Sequence, residues 1–122
     1  SAEVATETGF TFLSWSAEQN DDHLQIKTYW RVDVLHDERV EWFVSPFVHL
    51  IDSKGQTVAN QAPYGQWGYR WEVGDVYVNT VRFEQTDEAV KLGIGLFDPI
   101  SGRTFMLNPA TGSIPRFEVD LP

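Results

Sequence analysis

Four groups of residues in this 122-residue chain have the chemistry to do more than pack: an aromatic cluster, three histidines, a run of carboxylates and two acidic turns. The densest is Tyr64-Gly65-Gln66-Trp67-Gly68-Tyr69-Arg70-Trp71. In an extended backbone Trp67, Tyr69 and Trp71 project to one side, and flat rings spaced along a strand suit the apolar faces of pyranose sugars. Tyr64, Trp67, Tyr69 and Arg70 are therefore the candidate ligand-binding residues, with a glycan as the ligand. The competing role for these rings is to cap an open end of the core, and a protein interface is a third.

His49 lies among apolar residues near Asp52, and a histidine beside a carboxylate has the makings of a base or a metal ligand. The simpler expectation is a ring that donates to a carbonyl or carboxylate at a strand end. His23 and His36 fall in or near polar loops and have no ligand spacing to His49. Asp33, Asp37, Glu38 and Glu41 cluster, and glycoside hydrolysis runs on paired carboxylates. These acids flank a turn, however, where solvated charge is expected. Asp52 and Asp98 sit in turns as well, where an aspartate ordinarily bonds its own turn backbone; calcium is the alternative, without an Asp-x-Asp-x-Asp-Gly loop to support it. Nucleophile elbow, Walker loop, dinucleotide fingerprint and His-Glu-x-x-His are all missing from the sequence. Cysteine is absent too, which removes thiolate nucleophiles and thiolate metal sites. The reading is of a non-enzyme with no catalytic residue, metal or cofactor, and an unrecognised hydrolase is the remote alternative.

Bulk properties narrow the partners. Nine Lys and Arg against eighteen Asp and Glu leave a net charge of −9, which repels phosphate backbones and anionic lipid surfaces. Nucleic acid is thereby disfavoured, and cations or neutral ligands such as sugars remain. No apolar run approaches the ~18 residues of a membrane span, so membrane insertion by this segment is not expected. Ser1-Ala2-Glu3-Val4 lacks the basic and apolar regions of a signal peptide; for an exported protein, the signal lies outside this segment. With 42% hydrophobic and 14% aromatic residues, the chain has the means to build a core.

The elements that must position these groups read as strands, because the apolar period is two and turn signals recur at short intervals. Residues 9–15 form a first strand, broken by the polar run from Ser16 to Asp22. Residues 23–34 form the clearest strand, with Leu24, Ile26, Thr28, Trp30, Val32 and Val34 on the core face. A central strand over 40–52 is expected to bend at a bulge at Ser45-Pro46, since proline cannot donate to a ladder. Asp52-Ser53-Lys54-Gly55 turns it into a short strand over 56–60. Strands follow over 74–83 and 89–98, where Gly93 and Gly95 point to close approach of a backbone or a large ring. Asp98-Pro99-Ile100-Ser101-Gly102 fits a type I turn. A last pair runs over 103–107 and 114–121, and one helical turn over 86–92 loses to the β alternation. The sum is an all-β, immunoglobulin-like antiparallel β-sandwich of about seven to nine strands, one domain over residues 1–122.

Three blocks carry a resemblance: Lys27-Thr28-Tyr29-Trp30-Arg31-Val32, Phe47-Val48-His49-Leu50-Ile51-Asp52-Ser53-Lys54-Gly55, and Gly93-Ile94-Gly95-Leu96-Phe97-Asp98-Pro99-Ile100-Ser101-Gly102. In order and spacing, over roughly residues 24 to 107, they resemble the extracytoplasmic β-sandwich appended to bacterial polytopic membrane glycosyltransferases of the dolichyl-phosphate-mannose type. The resemblance implies a sandwich in a periplasmic or secreted setting and carries no catalytic residue with it. Ser45-Pro46 and Gln66-Trp67-Gly68-Tyr69 depart from the pattern. The functional expectation is a non-catalytic extracytoplasmic accessory module that binds a glycan or an envelope protein, with a purely structural or assembly domain of an envelope complex as the alternative.

Overall fold

A computed structural model describes residues 3–34, 44–62, 72–84 and 88–122. Ten strands run through them: β1 (Val4–Thr6), β2 (Phe10–Gln19), β3 (Leu24–Val32), β4 (Ser45–Asp52), β5 (Thr57–Gln61), β6 (Val76–Phe83), β7 (Ala89–Phe97), β8 (Thr104–Phe105), β9 (Leu107–Asn108) and β10 (Phe117–Asp120). They form two five-stranded antiparallel sheets. The first has the order β6-β3-β2-β1-β9; the second has the order β10-β7-β4-β5, with β8 also paired to β7. Stacked face to face and not closed into a barrel, they make the all-β sandwich that the period-two pattern predicts. No helix occurs among the described residues, and none there is long and apolar enough to cross a membrane.

Alternation builds the core. Along β3 every second side chain is buried, from Leu24 to Val32, and the intervening ones are half exposed. Trp30, fully buried, meets Phe12 edge to face at 5.3 Å, and Phe12 meets Phe117 of the second sheet at 5.4 Å. The indole N–H of Trp30 donates to Thr28 Oγ1 at 2.9 Å, so the ring is buried with its polar atom satisfied. From the facing sheet Val48, Leu50, Leu92, Ile94 and Leu96 close the cluster.

Several expectations need correction. β1 has no counterpart in the sequence reading, because three residues are too few to show a period. β2 runs on to Gln19 through the polar stretch, with Ser16 opposite Lys27 and Gln19 opposite Leu24. β1 covers only its start, so the rest has one neighbour and tolerates polar side chains. Val34 lies beyond the end of β3 and is 48% exposed. Pro46 keeps its register against Leu96, and the shifts fall at Leu50/Ile51 and Ile51/Asp52 instead. β5 ends opposite Val48, so among the described residues Pro46 has only β7 beside it and little ladder to break. The expected strand over 103–107 divides: β8 pairs with β7, and β9 crosses to β1 in the other sheet. Glu7 fastens that crossing, its Oε2 accepting from Met106 N and its Oε1 from Arg103, both at 2.7 Å. Only Ile114 bridges Leu107, so the expected final hairpin is reduced to one residue pair.

Candidate functional site

The candidate ligand-binding residues Tyr64, Trp67, Tyr69 and Arg70 lie outside the described residues together with Trp71, as do His36, Asp37, Glu38 and Glu41. The points where the chain enters and leaves the aromatic segment are described. It departs from β5 at Gln61 and joins β6 at Val76, and these are edge strands of different sheets. Between the two edges runs an open groove of about 600 Å³. Ala59, Phe83 and Ala89 make its apolar wall, and Gln61, Arg82, Glu84 and Glu88 its polar one. Arg82 and Glu84 also line an adjoining hollow with Asp22 and His23.

The second feature is the outer face of the second sheet. Gly93 and Gly95 of β7 carry no side chain there, and the close approach that they predict is found. A Cβ on Gly95 would fall 2.4 Å from Phe47 Cζ, and one on Gly93 would fall 2.7 Å from Arg116 Cδ. Into this space Phe47 lies stacked on His49, ring centroids 4.4 Å apart at 27°. Arg116, just ahead of β10, reaches across β7: its Nη1 donates to His49 Nδ1 at 2.9 Å and to Thr57 Oγ1 at 2.8 Å, while its Nε donates to Glu118 Oε2 at 3.0 Å. One side chain thus ties the C-terminal strand to β4 and β5.

This geometry revises the reading of His49. Guanidinium has donors only, so Nδ1 accepts, the opposite of the expected donation to a carbonyl or carboxylate. Burial, reinforced by the Arg116 charge, holds the ring's pKa below its ordinary 6.5 and keeps it neutral. Asp52 does not join it. Its Oδ1 accepts from Lys54 N and Gln56 N, both at 2.9 Å, and Asp98 likewise accepts from Ile100 N at 2.8 Å. Both aspartates are thus the turn-stabilising residues expected. The second turn closes with Gly102 N donating to Asp98 O at 2.7 Å and Gly102 at φ 80°, one residue wider than a four-residue turn.

Asp33 is bound to Arg31 at 2.6 Å and also accepts from Thr11, and Arg31 holds Glu3 at 2.8 Å. Arg31 keeps both carboxyls below their ordinary pKa by direct hydrogen bonding. His23 bonds Asp22 at 3.1 Å within the β2–β3 turn. Among the described residues no three His, Asp or Glu side chains gather as a metal would require. Sequence reasoning missed Arg116, whose only advance signal was Gly93, the strand glycine it lies across.

The class these features define is an antiparallel β-sandwich open at one side. No protein-family profile matches the chain, and no curated protein matches it.

Proposed function

We propose that this chain is a non-catalytic accessory module that works outside the cytoplasm, periplasmic or secreted, and binds a glycan or a protein partner at its open edge. The observation that carries the proposal is the groove between β5 and β6, whose flanking strands are joined by the chain segment bearing Tyr64, Trp67, Tyr69 and Arg70. Small-molecule sites combine apolar walls with a few placed polar groups, and this groove has both. The extracytoplasmic setting rests on the resemblance described above. The test is retention on a glycan array. Trp67→Ala and Tyr69→Ala should abolish retention and leave the thermal midpoint within about 2 °C, as expected of surface substitutions under ~0.5 kcal/mol. A large loss of stability in both variants assigns the rings to packing and overturns the glycan arm. Turnover of a chromogenic glycoside or ester panel, lost on changing a carboxylate, would overturn the non-catalytic reading.

A second reading, a structural domain assembled into an envelope complex, is favoured by β6. This strand carries Val76 at 54% and Val78 at 49% exposure on a sheet edge, and such edges invite pairing unless they are blunted.

A further inference from the structure

The outer edge of β6 pairs with no strand among the described residues. On its other side β3 is bonded throughout, and the register shows which backbone groups β6 has to spare. Val32 uses both its N–H and its C=O toward β6, through Asp75 O and Gly74 N. In an antiparallel ladder bonded pairs alternate with non-bonded ones. The next bonded pairs are then Trp30 with Tyr77 and Thr28 with Asn79. Val76, Val78, Thr80 and Arg82 therefore turn their N–H and C=O groups to the open edge. The side chains of these same four residues are the exposed ones of the strand. At about 3.4 Å per residue the eight residues offer roughly 27 Å of edge.

The sheet face beside that edge has a definite character. Val76 and Val78 form its apolar half, with Tyr29 opposite Val78. Arg82 and, one step diagonally across, Lys27 form a cationic half, and neither has an ion-pair partner among the described residues. Arg31 on the same face is already committed to Glu3 and Asp33. Two uncommitted cations next to two exposed valines stand out on a chain of net charge −9.

From this we infer that β6 is a docking edge for an extended segment of a protein partner. That segment adds as a further antiparallel strand, with aliphatic residues opposite Val76 and Val78 and a carboxylate opposite Arg82 within reach of Lys27. Main-chain bonds supply the attachment, and the alternating side chains supply the choice of partner. The inference rests on the protein-partner arm of the proposed function, and it shares Arg82 with the groove on which the glycan arm rests.

The probe is a capped octapeptide carrying Glu, Glu, Val and Val at alternate positions, compared with the same peptide carrying Lys for Glu. Binding followed by amide NMR should shift Val76, Val78, Thr80 and Arg82. The Lys peptide should bind about tenfold more weakly, as two cross-strand pairs turn from attraction to repulsion, and added salt should narrow the gap. Arg82→Glu should reverse the preference. Val78→Pro removes an edge N–H without touching the β3 ladder, so it should abolish binding while the folded spectrum and glycan retention persist. If Val78→Pro does not fold, Val78→Glu takes its place, removing the apolar contact and repelling the acidic peptide. No β6 shifts with the Glu peptide, equal binding of the two peptides, or undiminished binding by the Val78 variant would each overturn the inference. A protein that retains glycan but ignores the peptide sinks the edge alone, whereas peptide binding without glycan retention sustains it.

Discussion

Replacing Gly95 by alanine tests whether the absence of a side chain at this position of β7 is what seats Phe47. The new Cβ would sit 2.4 Å from Phe47 Cζ and 2.7 Å from Cε2, against the 3.4 Å at which ordinary contact begins, so the ring must retreat by roughly 1 Å. It has little room, being only 6% exposed and held by His49 on one face and by Phe97 edge-on at 6.2 Å. Overpacking of this kind costs about 1–3 kcal/mol. Exchanging a strand glycine for alanine returns about 0.5–1 kcal/mol of backbone entropy. The net expectation for Gly95→Ala is a loss of up to about 2.5 kcal/mol, read as a lower urea midpoint at unchanged slope. In a Phe47→Ala background the clash is gone, and the same substitution should become neutral or stabilising. Pro115 O, 3.1 Å from the new methyl, is present in both backgrounds and cancels from the comparison. The cycle should therefore show a coupling of about 1–3 kcal/mol. Equal losses in the two backgrounds, within the ~0.5 kcal/mol expected of independent sites, would refute the steric account.

Other expectations follow from the same surface and from the core. His49, half-buried and held below pKa 6.5, takes up its proton more readily when unfolded, so the stability it contributes is complete above about pH 6.5 and is lost as pH falls through the lowered folded value. One proton bounds the slope at about 1.4 kcal/mol per pH unit, and His49→Gln, which keeps an acceptor for Arg116, should flatten it in urea melts between pH 7.5 and 5. Glu3 and Asp33, held low by Arg31, add to the acid loss only below about pH 4.5. Asn79 is buried in β6 with its Nδ2 unpartnered among the described residues, so Asn79→Leu should raise the urea midpoint by the equivalent of about 1 kcal/mol; a fall would show that the amide has a partner after all.

The sequence by itself determined what repeats locally. Period two along residues 24–32 defined a strand and its buried face, because side chains alternate whatever the strand pairs with. Asp52 and Asp98 were legible as turn aspartates for a similar reason, since their bonds close within a few residues. Gly93 and Gly95 announced a close approach without saying by what. Only the tertiary structure decided the rest. Arg116 reaches His49 across 67 positions of chain, and no spacing signals a contact of that range. The split of residues 103–107 between two sheets depends on Glu7, brought there by β1 pairing with β9. The exposed valines of β6 looked in sequence like any other alternating strand. Among the described residues that strand became an edge, and so a surface with unspent hydrogen bonds, only through its place at the end of a sheet, a property of strand order that no local pattern encodes.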